Sequence, residues 1–200
     1  MNAESGKSIL VKTADEMEQY VRTCCSTPTN MMSGSYYDVH LRFVEDYALK
    51  IAPHFGAAPG LVRIAAITHD LGAITDYPAL AQHHLTGADI TSKLLEGKIP
   101  DSGIAVIADA IRNHNMPVRT GSPEAIALSH ADGLSKFDSP VYWICYAWKR
   151  KFDSFGESVK WYESLLAACY AAMDPEVRKL VDGKYEAAKE IIAAAEGGMR

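Results

Sequence analysis

Residues 65–74 read AAITHDLGAI. The stretch has the composition of a buried helix end, yet an imidazole and a carboxylate, His69 and Asp70, stand side by side within it. Gly72 follows at once and is typical of the end of a helix. Neither polar side chain has an obvious local partner, and burying such groups unpaired costs roughly a few kcal/mol each. The sequence therefore predicts that their partners come from distant parts of the chain.

The composition of the 200-residue chain is that of one soluble globular domain. Apolar residues make up 48% and charged residues 22%, and a chain of this length buries a core without disulfides. The net charge of −5 gives no sign of a nucleic-acid-binding face. The longest apolar run, residues 165–173, is well short of the roughly 20 residues that span a bilayer. The four cysteines form no CxxC motif, so we expect a cytoplasmic protein without membrane or nucleic-acid partners.

A helical period runs through nearly the whole chain, without a convincing strand pattern or internal repeat. Helices are predicted over residues 13–25, 36–52 (stopping at Pro53), 59–72, 83–96, about 101–114 and 123–137. Three helix start signals follow the pattern of a cap and a proline, namely Ser122-Pro123-Glu124, Ser139-Pro140 and, for the last long helix, Asp174-Pro175-Glu176. The prediction is a compact all-α bundle, with a core over about 13–137 and a helical extension over about 139–196.

Five predicted helices carry a histidine or an aspartate on an otherwise apolar face. These residues are His40, His69, His83, His114 and Asp132. One such histidine alone is usually a core residue bonded to a backbone carbonyl. Together they favour a shared explanation, because one metal ion satisfies several imidazoles and carboxylates at once. Such a donor set suits divalent Mn, Fe, Co, Ni, Zn or Mg, and the sequence does not choose among them.

Several blocks of sequence, taken in order, resemble the HD-domain superfamily. His40, the pair His69-Asp70 and Asp132 follow one another as in its H…HD…D signature. The surrounding segments are similar to the HDIG-type branch over about residues 36–137, and they read HLRFVEDYALKIA, LVRIAAITHDLGAI, HHLTGADITSKLL, IADAIRNHN and EAIALSHADGLSKF. The resemblance implies that residues 1–200 form a single HD-type domain with additional C-terminal helices.

The resemblance also implies a set of metal ligands. They are His40, His69, Asp70 and Asp132. His83 and His114 match the positions that hold a second ion in two-metal members, with Asp70 as the bridge, whereas in one-metal members they face substrate phosphate. His84 competes with His83 for that role, but helical spacing prefers His83 because Gly87, four residues on, is the close-packing position of the family. The sequence leaves one ion or two as alternatives.

The usual activity of the family is metal-dependent phosphohydrolysis, in which a divalent ion activates water for attack on phosphorus. The resemblance therefore implies an enzyme with a small phosphorylated substrate such as a nucleotide. We expect Asp70, His83 and His114 to act in catalysis, and His84, Arg112 and Lys136 to bind the phosphate. An aromatic group over residues 142–161 is expected to be core or a contact between subunits, as in a homo-oligomer, rather than a ligand wall.

The chain departs from the family pattern at Ala73. Many HDIG-type members carry a phosphate-binding lysine there, so the metal ligands are a firmer prediction than the reaction. HNMPVRTGS, residues 114–122, also lacks the GYP motif of cyclic-dinucleotide phosphodiesterases, which weighs against that substrate. Two other functions stay open, a non-catalytic metal- or ligand-binding regulatory module on the HD scaffold, and a di-iron HD-type lyase or oxygenase.

Overall fold

The computed structural model describes residues 3–198, and the side chains of all of these except 3–5, 77, 79 and 195–198. Over this range the chain forms helices and no strand, which confirms the predicted all-α class. In chain order the elements are α1 (Ala3–Cys25), a π-helical turn (Tyr37–Leu41) that runs into α2 (Arg42–Phe55), α3 (Pro59–Thr68), α4 (Leu71–Thr75), a 3-10 turn (Tyr77–Gln82), α5 (His83–Leu95), α6 (Asp101–Arg112), α7 (Pro123–Ser135), α8 (Pro140–Arg150), α9 (Phe155–Ala172), α10 (Pro175–Arg178) and α11 (Asp182–Gly198).

Helix α2 lies at the centre of the bundle and packs against α7 and α3. Helix α1 packs on α3. Helix α5 packs on α6, and α6 in turn contacts both α3 and α7. Helices α8 and α9 pack on each other, and α9 connects them to α7 and α11. Large apolar side chains such as Ile64, Ile67 and Leu128 are fully buried at these contacts, each stabilising the fold by about 1.5–3 kcal/mol. No helix of the described range is long and apolar enough to cross a bilayer.

The start signals predicted helices better than the periodicity predicted their ends. Ser122 caps α7 by accepting a hydrogen bond from the backbone N–H of Ala125, and Pro140 begins α8 as expected. Asp174 caps a helix too, but that helix is the four-residue α10, so the last long helix begins later, at Asp182, and the prediction for it is wrong.

Three predicted helix ends also differ from the structure. Helix α1 begins at Ala3 rather than at 13, because Ile9 and Leu10 pack against the core and extend the helix. Helix α2 continues through Pro53 and ends at Phe55, where it is capped by Gly56, whose φ of 70° lies in the left-handed region that glycine favours. The helix predicted to end near Gly72 is divided in two, as α3 stops at Thr68 and α4 follows.

Gly72 lies inside α4 and does not end a helix, because it is required for a close approach of α4 and α5. A Cβ atom at Gly72 would collide with the carbonyl oxygen of His83. A Cβ atom at Gly87, in α5, would lie 2.8 Å from the carbonyl oxygen of His69. The two glycines therefore bring the backbones of His69 and His83 together across the α4–α5 contact.

We expect Gly87→Ala to lower the free energy of unfolding by about 1–3 kcal/mol, because the added methyl group meets backbone that cannot rotate away. Denaturant unfolding measures this change. Gly183→Ala in α11 is the matched control, since a Cβ there meets nothing within 4 Å, and it should leave stability unchanged or raise it by up to about 1 kcal/mol. Equal losses in both variants would refute the close-approach role of Gly87.

Candidate metal centre

Six side chains from separate parts of the chain meet at one point, and we call them the histidine–aspartate cluster. Its members are His40, His69, Asp70, His83, His114 and Asp132. His40 comes from the π-helical turn before α2, the pair His69-Asp70 from the break between α3 and α4, His83 from the start of α5, His114 from just beyond α6, and Asp132 from the last turn of α7. The ends and irregular turns of the helices thus supply nearly all of the cluster.

The carboxylate of Asp70 lies between two pairs of imidazoles. Its Oδ2 is 3.4 Å from His40 Nε2 and 3.2 Å from His69 Nε2. Its Oδ1 is 3.3 Å from His83 Nε2 and 3.8 Å from His114 Nε2. Within each of the two groups the ligand atoms lie within 4.8 Å of one another. One carboxylate thus offers a different oxygen to each group, so Asp70 would be able to serve two ions.

Asp132 adds a second carboxylate on the His40 side of the cluster. Its Oδ1 lies 3.3 Å from His40 Nε2 and 3.9 Å from His69 Nε2. The same oxygen accepts a hydrogen bond of 2.5 Å from Lys136 Nζ, one helical turn later. Burial disfavours both charges, but their attraction outweighs it, so the pKa of Asp132 is lowered and that of Lys136 is raised. Asp132 is therefore ionised and is a candidate metal ligand, although its Oδ1 already accepts the hydrogen bond from Lys136.

The four imidazoles of the cluster turn Nε2 inward because Nδ1 is engaged elsewhere. Three of the Nδ1 atoms lie next to backbone carbonyl oxygens, in the pairs His69–Ala66 (2.8 Å), His83–Leu80 (2.7 Å) and His114–Ile111 (2.6 Å). A carbonyl oxygen only accepts, so Nδ1 carries a proton, and in a neutral ring the lone pair is then on Nε2. This is the tautomer that ligates metal ions in proteins.

Two of these inward nitrogens are also buried without a partner. Nε2 of His40 and Nε2 of His69 have no hydrogen bond to any described residue, and both side chains are fully buried. Leaving such atoms unsatisfied costs free energy, so each calls for an explanation. A divalent ion with nitrogen and oxygen ligands fits, because it would occupy both lone pairs and the facing carboxylate oxygens together.

Asp70 and His114 have the charges that metal binding requires, whereas Asp70 outweighs burial and raises the pKa of His69, so an ion bound there would displace a proton. Burial opposes ionisation of Asp70, but His69 and the other imidazoles outweigh it and hold its pKa well below the usual range. Burial, together with the nearby His69, lowers the pKa of His114 to about 3. Asp70 is therefore an anion and His114 a neutral imidazole at neutral pH, the forms in which both side chains bind a cation.

The fourth imidazole is oriented by a hydroxyl group that sequence reasoning missed. Ser135 Oγ donates a hydrogen bond of 2.7 Å to the backbone carbonyl of Asp132 and lies 3.1 Å from His40 Nδ1. Because its proton is used, the hydroxyl accepts from Nδ1–H and fixes the tautomer of His40. A signal exists in the sequence, since Ser135 follows Asp132 by about one helical turn.

We expect Ser135→Ala to weaken metal affinity by about 10–100-fold, because outer partners of ligating histidines have effects of that size. Competition with a chromogenic chelator measures the affinity. The matched control is Ser129→Ala, which removes a buried hydroxyl of the same helix that bonds to Val118 and Ile126 but not to a histidine. Metal affinities that are equal in the two variants would exclude the orienting role of Ser135.

Tyr36 is a second residue that sequence reasoning missed. Its hydroxyl donates a hydrogen bond of 2.5 Å to Asp70 Oδ2, the oxygen that faces His40 and His69. Burial and the Asp70 carboxylate raise the pKa of Tyr36 well above its usual value, so the phenol keeps the proton that it donates. Tyr36 precedes His40 by one helical turn, which is the signal that could have found it. It restrains the carboxylate at the centre of the cluster.

The cluster opens into a cleft of about 470 Å³, partly closed by the C-terminal helices. Three residues of α8 and α9, which we call the aromatic wall, line it: Trp143, Tyr146 and Trp161. Trp143 and Tyr146 are buried, as expected for core residues. The same apolar face therefore serves both the core and the cleft, and the expectation that the aromatic group forms no ligand wall stays a prediction.

Of the three residues predicted to bind phosphate, the structure brings only Lys136 into the lining of the cleft. Arg112 lies outside the lining and pairs with Asp89 at 3.0 Å. The ring of His84 contacts that of His83, 5.7 Å between centroids, but His84 is not a lining residue either. His83 itself faces the cleft, in line with the helical spacing that preferred it.

Comparison with protein families agrees with this geometry. The model of the HD domain matches residues 37–136, which is half of the 200-residue chain and includes the whole histidine–aspartate cluster. No match was found among curated proteins or among solved structures. Helices α8–α11 lie outside the matched range. On the family match and the cluster together, the chain belongs to the HD-domain family.

Proposed function

We propose that this protein is a metal-dependent phosphohydrolase that acts on a small phosphoester such as a nucleotide. Membership of the HD-domain family, whose members are typically metal-dependent hydrolases, supports the proposal. The observation that carries it is the carboxylate of Asp70, which offers one oxygen to each of two imidazole pairs at the edge of an open cleft. A buried structural site would have no need of such an opening.

The donors divide into two groups that would hold one ion each. The first is His40, His69, Asp70 and Asp132, and the second is Asp70, His83 and His114. When bound, such ions lower the pKa of a coordinated water and draw charge from phosphoryl oxygens. The two ionised carboxylates would leave two divalent ions with a net positive charge, which suits an anionic substrate.

The protein residues around the ions would position the phosphate. His83 is the most exposed imidazole of the cluster, with 19% of its side chain accessible, and its ring is fixed by the carbonyl of Leu80. If only one ion is held, a protonated His83 would donate to a phosphate oxygen, whereas the neutral His114 presents a lone pair and would not. Lys136 lines the same cleft as Ala73 and lies 4.7 Å above the ring of Trp143. Because its ammonium group lies in the lining of the cleft, we assign Lys136 to phosphate binding.

A hydrolysis panel tests the proposal. Protein stripped with a chelator and reloaded separately with Mn, Fe, Co, Ni, Zn or Mg would be offered nucleotides, other phosphomonoesters and phosphodiesters. We expect phosphate or alcohol release that is lost on stripping and restored by at least one ion. Bound metal without turnover across the panel would contradict the hydrolase and favour a metal-binding regulatory module. Oxygen uptake by the iron-loaded protein would instead favour a di-iron enzyme.

A further inference from the structure

Two ammonium groups line the cleft, and they differ in their partners. Lys136 pairs with Asp132 at 2.5 Å. Lys151 has no carboxylate oxygen within 4 Å among the side chains that the structure describes, although it lines the same cleft. Burial and the nearby charge of Lys136 lower the pKa of Lys151, so the two cations act on each other. Asp132 already balances Lys136, so Lys151 is the cation of this cleft whose charge an incoming anion would offset.

The aromatic wall holds both ammonium groups in place. Lys151 Nζ lies 4.5 Å from the centre of the Trp161 ring and 5.9 Å from that of Tyr146. Tyr146 packs edge-on against Trp143, and Lys136 Nζ lies over the ring of Trp143 at 4.7 Å. A cation above an aromatic face is attracted by the ring and still keeps N–H groups to donate. The wall therefore places the ammonium group of Lys151 beside the cleft with N–H groups to donate.

We propose that Lys151 binds a phosphate oxygen of the substrate and that Trp161 positions its ammonium group for this contact. The inference rests on the proposed function, since the anion is taken to be the substrate phosphate. Both residues belong to the C-terminal part of the chain, outside residues 37–136 that match the family. Ala73 also lines the cleft but carries no charge. Lys151, which follows α8, would supply a cation to the cleft instead.

The test measures binding of inorganic phosphate to the metal-loaded protein by calorimetry. We expect Lys151→Met, which keeps an unbranched side chain of similar length but removes the charge, to weaken phosphate affinity about tenfold or more, or about 1.4 kcal/mol. Lys151→Arg should retain most of the affinity, because a guanidinium group also lies well on aromatic rings. Lys160→Met is the matched control, since Lys160 is exposed on α9 beside Trp161 and does not line the cleft. Metal content should be equal in all variants.

The positioning role of Trp161 has its own pair of variants. Trp161→Leu should weaken phosphate binding and raise KM for a hydrolysed phosphoester, with kcat less affected, because the ammonium group loses its ring. Trp161→Phe should restore most of the affinity, since the aromatic face is kept. Equal affinities of the leucine and phenylalanine variants would exclude a role for the ring.

The outcomes separate this inference from the proposed function. Phosphoester hydrolysis by the wild-type protein, with phosphate affinity and KM unchanged in Lys151→Met, would overturn the role of Lys151 and leave the hydrolase standing. Phosphate binding that depends on Lys151, without any hydrolysis, would support the role of Lys151 and contradict the proposed hydrolase activity. Failure of the wild-type protein to bind millimolar phosphate would overturn the role of Lys151.

Discussion

Asp70→Asn is expected to reduce phosphoester hydrolysis by about 10³-fold or more and to lower the metal content of the protein. Removing a single electrostatic stabiliser from an active site costs about 10²–10³ in rate, and Asp70 serves both imidazole pairs with one oxygen each. Asparagine has nearly the same shape, but it is neutral and offers one oxygen, so one pair would face an amide N–H group. The values of kcat and the metal-to-protein ratio measure the effect.

Asp76→Asn is the control for this variant. Asp76 is an aspartate shortly after Asp70 in the sequence, but its side chain is exposed and does not line the cleft. Its replacement should leave both activity and metal content at the wild-type level. If Asp70→Asn kept its metal and lost less than about 100-fold in kcat, the central place of Asp70 would be refuted, because effects of about 10–100-fold belong to outer partners of metal ligands.

His114→Gln is expected to remove one ion and to reduce hydrolysis by about 10²-fold or more, the size of effect that loss of one stabilising group produces. His114 is 2% exposed and neutral, with a pKa of about 3, and its Nδ1 is held by the carbonyl of Ile111. It belongs to the second group of donors and not to the first. The metal-to-protein ratio should therefore fall from about two to about one.

His130→Gln provides the comparison with another buried histidine. His130 Nδ1 lies 2.9 Å from the carbonyl of Ile126, and its Nε2 accepts a hydrogen bond from the backbone N–H of Asp174. It ties α7 to the start of α10 and stands apart from the histidine–aspartate cluster. This variant should lose stability but keep its metal. A His114→Gln protein that keeps two ions would show that His114 is not a ligand.

The sequence predicted the fold class because helical spacing separates an apolar face from a polar one within each helix. The same spacing placed His40, His69 and Asp132 on inward faces, and the structure brings all three together. It could not predict the break between α3 and α4. Gly72 looks like a helix end, but its role depends on contact with α5, which no local pattern reveals.

The rest of the site was less visible for a similar reason. Helical spacing cannot distinguish an apolar face in the core from one that lines a cleft, so it did not predict that the aromatic wall does both. Arg112 lies near the ligand blocks in sequence, but its side chain reaches Asp89 of α5. Lys151 lies far from every motif, and only the packing of α8 on α9 brings it into the cleft.

The most direct test of a metal centre in this protein is elemental analysis of the chain purified without chelator. The two groups that share Asp70 predict about two divalent ions per chain, with the ratio lowered in Asp70→Asn. A ratio near one would contradict the bridging role of Asp70. A protein that carries no metal, and binds none when Mn, Fe, Co, Ni, Zn or Mg is added, would contradict the metal centre itself.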